Sequence, residues 1–177
     1  MWLAYLIQKR IGKGVVKVNI VQFGAQPKSL GGKISELLKE DRHEVLDFDL
    51  KNGFDAMIET CVEDVFDSFS PNIEVIVNYV GMMHNERIED MCIDNFRQVF
   101  ETNCLSLVTL LKHSSKYFNS RGIKGRFIHI ASNASISGFT GMGAYCASKF
   151  GDIGLIQVAA KEWMKFGGIV NAISPGP

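Results

Sequence analysis

The stretch GAYCASKF, residues 143–150, places Tyr145 and Lys149 four positions apart in a segment predicted to be helical. Residues i and i+4 lie on one face of an α-helix, so the phenol and the ammonium would lie side by side. A nearby ammonium favours the phenolate, which provides a proton donor and acceptor near neutral pH. Because tyrosine and lysine are common on exposed helix faces, the surrounding sequence decides what this spacing means.

Polar residues occur at informative positions on both sides of this stretch. Ser132 follows the predicted strand RFIHIA, residues 126–131, and the carboxyl end of a strand in an open parallel sheet is a typical place for a ligand. Further upstream, apolar residues recur with a helical period, and Asn103 falls on their face, where a polar side chain needs a specific partner. Downstream, IVNAISPG, residues 169–176, is typical of a strand ended by Pro-Gly.

Asn103, Ser132, Tyr145 and Lys149, in this order and spacing, resemble the short-chain dehydrogenase/reductase family, most strongly over residues 128–176. Each residue also has an ordinary interpretation: an exposed helix pair, a turn cap or a bridge between helices. The four together argue against coincidence. The resemblance implies an oxidoreductase that interconverts a carbonyl and a secondary alcohol by hydride transfer, with NAD or NADP as cofactor.

The resemblance also implies a role for each of the four residues. Tyr145 would act as general acid/base and give its proton to the substrate oxygen, which Ser132 would hydrogen-bond. Lys149 would hold the nicotinamide ribose hydroxyls. Asn103 would position a water that links the lysine to solvent protons.

Strand and helix patterns alternate along the chain. They predict strands at residues 15–23, 44–49, 73–80, 126–131 and 169–174, and helices at residues 31–40, 54–69, 88–117 and 143–166. Such alternation predicts an α/β fold, a doubly wound parallel sheet of the Rossmann type in a single domain. Because the segment between the first helix and the third strand is short, one edge strand of the family's sheet is predicted to be missing or merged. Residues 1–14 are interpreted as an N-terminal extension, and residues 15–177 as the domain, without the family's usual C-terminal substrate segment.

The loop FGAQPKSLGG, residues 23–32, links the first strand to the first helix, where backbone amides can approach a pyrophosphate. Against the family pattern T-G-x-x-x-G-x-G, Gly24 matches the first glycine, and Gly31 matches the last only with one inserted residue. The segment NYVG, residues 78–81, resembles the family's N-N-A-G. The resulting cofactor-binding candidates are Gly24, Lys28, Ser29, Leu30, Asp49, Asn78, Gly81, Tyr145, Lys149, Pro175 and Gly176.

Two residues bear on the choice between NAD and NADP. Asp49 lies 18 residues beyond Gly31, near the position of an acid that binds ribose hydroxyls and favours NAD, yet Asp49 and Leu50 also resemble the family's adenine-contacting Asp-Val pair. Lys28 lies where a basic residue often marks NADP use in the family. Both cofactors stay open, with NAD slightly favoured.

Composition narrows the remaining possibilities. Nineteen basic and nineteen acidic residues cancel, so no charge excess indicates nucleic acid or an anionic membrane. The apolar start, residues 2–7, is too short to span a bilayer, and the four cysteines have no metal-binding spacing. We therefore expect a cytoplasmic protein without a metal, acting on a small molecule. The family resemblance further implies a homodimer or homotetramer formed through the two long helices.

A second function class stays open at this point. The altered glycine loop and the altered N-N-A-G segment also suit a degenerate family member that binds a nucleotide or a partner without turnover. His84 and His129 lie near the presumed cleft, and with no partner visible in the sequence they are interpreted as rim or core histidines.

Overall fold

The computed structural model describes residues 17–68 and 72–176, in which helices and strands alternate. The strands are β1 (Asn19–Phe23), β2 (Glu44–Phe48), β3 (Val75–Asn78), β4 (Arg126–Ile130) and β5 (Ile169–Ile173). The main helices are α1 (Leu30–Glu40), α2 (Glu59–Ser68), α3 (Ile93–Phe100), α4 (Ser106–Arg121) and α5 (Gly143–Trp163). All strands pair in parallel in the order β2-β1-β3-β4-β5, which confirms the predicted doubly wound sheet. The predicted extension, residues 1–14, lies outside the described residues.

The sheet is buried on both faces because apolar side chains alternate between them. Along β1, Val21 and Phe23 join one core cluster, while Ile20 joins the cluster on the other side. Successive residues of a strand point to opposite faces, so a nearly continuous apolar strand supplies two cores. In the larger core, the indole of Trp163 packs edge-on against Phe118 and Phe127.

Three predicted elements differ from the structure. The helix predicted over residues 88–117 begins only at Ile93, after a 3₁₀ turn (Ile88–Asp90), and then continues through α3, a π turn (Glu101–Leu105) and α4 to Arg121. The helix predicted from residue 54 begins at Glu59, because the Asp55 carboxylate accepts the Met57 N–H and forms a separate turn first. The strand predicted over residues 73–80 is limited to β3, since Tyr79 and Val80 already belong to the following loop.

The strand order places the candidate site. From β1 the chain crosses to β2 on one side and then to β3 on the other, and such a switch point opens a crevice at the carboxyl ends of the strands. There the Tyr79 N–H donates to the Phe23 carbonyl at 2.8 Å, which brings the glycine loop beside the end of β3.

The two edges of the sheet are formed by β2 and β5. Within residues 17–68 and 72–176 no strand pairs with the outer edge of either, in agreement with the predicted loss of the strand beyond β2. No helix in the described ranges is both long and apolar enough to cross a membrane.

Candidate active site

A cleft of about 460 Å³ lies at the carboxyl ends of the strands and runs from the glycine loop to α5. It is lined by Gly24, Gln26, Ser29, Leu30, Gly31, Tyr79, Gly81, Met82, Met83, Ile130, Ala131, Tyr145 and Lys149. Six of the eleven cofactor-binding candidates are in this lining. The cleft therefore connects the loop predicted to hold a pyrophosphate with the tyrosine and lysine predicted to act on the substrate.

The glycine loop lies too close to neighbouring backbone at several positions to carry side chains there, Gly24 and Gly31 among them. Gly24 has a φ of +79°, and a Cβ there would lie 2.8 Å from the Val80 nitrogen. A Cβ on Gly31 would lie 2.8 Å from the Ala25 Cα. Both contacts are too short for a side chain, so the loop lies flat against the first turn of α1 and the end of β3. This leaves a shallow surface on which backbone can approach a ligand closely.

Ser29 organises the start of α1. Its hydroxyl accepts the Gly32 N–H at 3.3 Å and donates to the Gln26 carbonyl at 2.6 Å, so it caps the helix. Leu30 and Gly31 follow in the first turn, where backbone N–H groups lack intrahelical partners and attract anions. The neighbouring Lys28 has a φ of 67°, a left-handed conformation that accommodates the inserted residue of the loop.

Tyr145 and Lys149 lie on one face of α5, as their spacing predicted. The Lys149 Nζ lies 5.9 Å from the centroid of the Tyr145 ring. Tyr145 is half-buried at the cleft, whereas Lys149 is 3% exposed. The ammonium points to the carboxylate of Asp152, with 2.9 Å between Nζ and Oδ2.

Asn103 lies in the π turn between α3 and α4 and is 1% exposed. Its Oδ1 accepts the Met82 N–H at 2.7 Å, and its Nδ2 donates to the Met82 carbonyl at 3.0 Å and to the Ser148 Oγ at 2.8 Å. The predicted specific partners are thus present, and they tie the loop after β3 to α5. One lone pair of Oδ1 is left for the predicted water.

Ser132 lies two residues after β4 and caps a 3₁₀ turn, Asn133–Ser135, that packs against α5. Its Oγ accepts the Ala134 N–H at 3.1 Å, and among the described residues its hydroxyl donates to no acceptor. The neighbouring Ala131 lines the cleft, while Ser132 itself is outside the lining. The turn therefore fixes the position of the Ser132 hydroxyl. The proton of this hydroxyl remains available for donation to a ligand.

The remaining candidates lie beyond the cleft lining. The Pro175 carbonyl accepts the Asn133 N–H at 2.9 Å, which places Pro175 and Gly176 beside the Ser132 turn. Asn78 is fully buried at the end of β3, and its Oδ1 accepts the Val80 N–H. Lys28 contributes backbone conformation to the loop and is outside the lining.

Asp49 is 8% exposed and caps the 3₁₀ turn Leu50–Asn52. Its Oδ1 accepts the Lys51 N–H at 3.0 Å, and its own N–H donates to the Asn52 Oδ1. It lines a second cavity of about 380 Å³, together with Lys39, Asp47 and Lys51. Asp49 therefore lines this neighbouring cavity and not the main cleft.

Tyr79, which stands where the family usually has the second asparagine, lines the main cleft. Its hydroxyl donates to the Gln22 Oε1 at 2.7 Å. Burial, together with the nearby Asp47 carboxylate, raises the pKa of Tyr79 far above its ordinary value. The Tyr79 phenol therefore keeps its proton, and the uncharged side chain forms part of the cleft wall.

A buried polar network behind Lys149 was missed by the sequence analysis. The His129 Nε2 lies 3.0 Å from the Asp152 Oδ2, and the His129 Nδ1 lies 3.2 Å from the Asn78 Nδ2. His129 and Asp152 are both fully buried. Because the Asn78 amide nitrogen can only donate, Nδ1 must accept, and Nε2 therefore carries the proton given to Asp152.

The electrostatics of this network agree with that arrangement. Burial lowers the pKa of His129 below its ordinary 6.5, although the bond to Asp152 opposes this. Burial disfavours charge on Asp152, but His129 and the Lys149 ammonium together hold its pKa below the ordinary value. Cys104 adds a weak contact, its Sγ lying 3.6 Å from the Asp152 Oδ1, and burial together with that carboxylate raises its pKa to about 12.

The sequence carried one signal of this network. Asp152 follows Lys149 by three positions, which places both on one helix face. The interpretation of His129 as a core histidine is confirmed, but its partner comes from another element and only the fold reveals it. His84 is partly exposed and contacts the Asn95 amide at 3.0 Å.

Comparison with known proteins identifies the family. The family model for short chain dehydrogenases matches residues 8–177. L-2,3-butanediol dehydrogenase of Corynebacterium glutamicum is 32% identical over 131 residues, which cover 74% of this chain and 49% of that protein. 2-Dehydro-3-deoxy-D-gluconate 5-dehydrogenase of Bacillus subtilis (strain 168) is 30% identical over 172 residues, or 94% of this chain and 66% of that protein. The chain belongs to the short-chain dehydrogenase family, whose members are NAD(P)-dependent oxidoreductases.

A solved structure supports the fold independently. The structure of ElxO with NADP bound superimposes with a TM-score of 0.80 at 24% identity, covering 91% of this chain and 74% of that one. The chain spans about half to two thirds of the length of the two dehydrogenases named above.

Proposed function

We propose that this chain is part of an NAD(P)-dependent oxidoreductase that interconverts a carbonyl and a secondary alcohol, with Tyr145 as the general acid/base. The observation that carries the proposal is the continuous cleft from the glycine loop to Tyr145 and Lys149. Its glycine end is flat enough for backbone contact with a pyrophosphate, and its other end presents a half-buried phenol beside an ammonium.

We infer the roles of the side chains from where they lie. Tyr145 can pass a proton to or from a substrate oxygen in the cleft, and the Ser132 hydroxyl, held by its turn, can hydrogen-bond that oxygen. Lys149 lies beside the phenol and can hold ribose hydroxyls. Asn103 fixes the Met82 segment of the cleft wall to α5. The nicotinamide cofactor, when bound, supplies or accepts the hydride.

The substrate is proposed only as a class. Two relatives are named for four-carbon diols or diketones, L-2,3-butanediol dehydrogenase and the diacetyl reductase of Staphylococcus aureus, and a third for a sugar acid. We infer a small carbonyl compound or secondary alcohol that bears a second oxygen. We also propose a reducing, cytoplasmic location, which the four unpaired cysteines in the described residues support.

The test has two stages. First, NADH and NADPH are titrated against the purified chain with fluorescence as the readout, and saturable binding is expected. Second, turnover of diacetyl, butanediol and related compounds is followed by nicotinamide absorbance. Binding without turnover of any panel member would favour the alternative, a nucleotide-binding protein without activity. The inserted residue of the glycine loop and the altered N-N-A-G segment are the features that suit that alternative. Absence of binding would contradict both.

We further propose that the protein is a homodimer or homotetramer assembled through α5 and the helices before it. On α5, Ala147, Phe150, Gly154 and Val158 form an exposed stripe at helical spacing, and Leu105 and Val108 are also exposed. Nothing lies within 4 Å of a Cβ on Gly154, so Gly154→Arg adds a charge to this face without disturbing the protomer. Light scattering should show an oligomer for the wild type and a smaller species for the variant. A wild-type monomer would overturn the proposal.

A further inference from the structure

Behind Lys149 lies a buried cluster formed by Asp152 and His129, and neither residue has a role in the proposed reaction. Asp152 lies one helical turn after Lys149, fully buried, with its Oδ2 between the Lys149 Nζ at 2.9 Å and the His129 Nε2 at 3.0 Å. A carboxylate placed in a protein interior is costly unless its charge and lone pairs are matched. Here one cation matches its charge and two donors share one of its oxygens, so the cluster is complete without any ligand.

The groups that face Asp152 come from several elements. Lys149 lies on its own helix, His129 comes from β4, and Cys104 comes from the π turn. His129 is in turn fixed by the Asn78 amide at the end of β3. The histidine is neutral and the thiol keeps its proton, so Lys149 is the cation that balances Asp152 among the described groups facing it.

The arrangement also determines where the ammonium lies. A lysine side chain has four rotatable bonds, and at 3% exposure water cannot hold its end in place. A Cβ on Gly81 would lie 3.6 Å from the Nζ, so the cleft wall leaves room for the ammonium on the side of Gly81. On the opposite side the ion is held by Asp152, whose own position is set by a histidine in the sheet.

We propose that Asp152, oriented by His129, is a positioning residue that fixes the Lys149 ammonium in its place at the edge of the cleft. The inference rests on the function proposed for Lys149. Without the carboxylate, the ammonium would be buried without a counter-charge, a state that favours loss of its proton or displacement of the side chain. Cofactor binding and proton transfer by Tyr145 would then both be weakened.

The test compares Asp152→Asn, His129→Leu and His129→Gln with the wild type. Asp152→Asn keeps the shape and removes the charge. His129→Gln keeps an amide donor near the position of Nε2, whereas His129→Leu removes the donor. We expect Asp152→Asn to lower kcat at least tenfold, to weaken NADH or NADPH binding several-fold, and to move the pH optimum to lower pH. His129→Leu should lower kcat several-fold, and His129→Gln should restore most of the loss.

The chain offers a matched control. The Glu59 carboxylate also accepts hydrogen bonds from a lysine and a histidine, Lys112 and His113, but it is remote from the residues that line the cleft. Glu59→Gln should leave kcat and the pH optimum at wild-type values. If Asp152 had only a structural role, its loss would lower the melting temperature without moving the pH optimum.

An activity-independent measurement separates this inference from the proposed function. In ¹⁵N-labelled wild-type protein, the Lys149 ammonium should give a protected NMR signal coupled to Nζ, and Asp152→Asn should abolish it. If that signal behaves as expected but no carbonyl compound is turned over, the proposed function is wrong and the positioning role stands. If Asp152→Asn keeps either the protected signal or the wild-type pH optimum, the positioning role is wrong.

Discussion

The cleft surface is formed by backbone on one half of the sheet and by side chains on the other. On the β1–β2 half, glycines leave the backbone itself exposed as the cleft surface. The polar residues Ser29 and Asp49 hydrogen-bond to nearby backbone as helix caps. On the β3–β4–β5 half, the surface is supported by side chains that bond to one another, such as Asn103 to Ser148 and His129 to Asp152. A backbone surface tolerates many sequences, whereas a side-chain network depends on the identity of each member.

This difference explains why one motif is altered and the other intact. The glycine loop carries an inserted residue, yet the two glycines that contact other backbone are in place at its ends. The chemistry proposed for the tyrosine segment leaves no such freedom, because it requires one phenol and one ammonium at one spacing.

Tyr145→Phe is the strongest test of the β3–β4–β5 half of the sheet, where side chains form the site. The change removes one hydroxyl from a half-buried ring, so the fold should persist while general acid/base catalysis is lost. We expect kcat to fall by about 10²–10⁴-fold with cofactor affinity nearly unchanged. Steady-state kinetics and a thermal melt provide the measurement.

A second tyrosine provides the control for this change. Tyr117→Phe removes a hydroxyl that accepts the Ile73 N–H in the core, far from the cleft lining. It should lower stability by about 1 kcal/mol and leave turnover intact. Wild-type turnover by Tyr145→Phe would show that the phenol is not the acid/base.

Gly24→Ala tests the β1–β2 half of the sheet, where backbone forms the cleft surface. The new Cβ would lie 2.8 Å from the Val80 nitrogen at a φ of +79°, so the loop must shift. We expect a loss of stability of about 1–3 kcal/mol and at least a tenfold loss of cofactor affinity, with the pH optimum unmoved. Urea unfolding and a cofactor titration are the measurements.

Gly53→Ala is the matched control for Gly24→Ala. Gly53 has a similar φ of +85°, but nothing lies within 4 Å of its Cβ. The substitution should therefore cost backbone strain without weakening cofactor binding. Equal losses of affinity in the two variants would mean that the contact with Val80 does not shape the cleft.

The third prediction concerns pH and the buried histidine. Burial lowers the folded-state pKa of His129 from 6.5, so below that pH the unfolded chain binds more protons than the folded chain. Stability should therefore fall as pH drops from about 6.5, by up to about 1.4 kcal/mol per pH unit. The contribution of Asp152 to stability changes at lower pH. Because the fold depresses the pKa of Asp152, this contribution is lost only as pH falls below 3.8.

Urea unfolding at pH 7 and pH 5 isolates the contribution of His129. The wild type should lose about 1–2 kcal/mol more than His129→Gln between these pH values. The other histidines contribute equally to both proteins and cancel in the difference. An identical pH dependence in both would show that His129 is charged in the folded state.

These predictions also mark how far the sequence was informative. The doubly wound parallel sheet, the tyrosine–lysine face and the buried position of Asn103 follow from periodicity and from four motif residues. The π turn within the long helix at residues 101–105 does not, because the apolar pattern continues through it. The His129–Asp152 pair does not either, since the two residues are 23 positions apart and meet only when α5 packs on β4.

The smallest expected effect concerns the choice of cofactor at Asp49. One carboxylate oxygen caps a turn by accepting the Lys51 N–H, and among the described residues the other has no protein partner. That second oxygen can accept a ribose hydroxyl, while a phosphate in the same place would be repelled. Asp49→Asn keeps an amide oxygen for the cap and removes the charge, so we expect the NADH to NADPH affinity ratio to fall about three- to tenfold, close to 1 kcal/mol. Asp55→Asn is the control, since the Asp55 Oδ1 caps a turn in the same way by accepting the Met57 N–H and lines neither the cleft nor the neighbouring cavity. Fluorescence titration of each cofactor against each variant measures the ratio. A ratio that is unchanged in Asp49→Asn would show that the acid serves only its turn and that another residue, Lys28 or Lys51 among them, sets the preference.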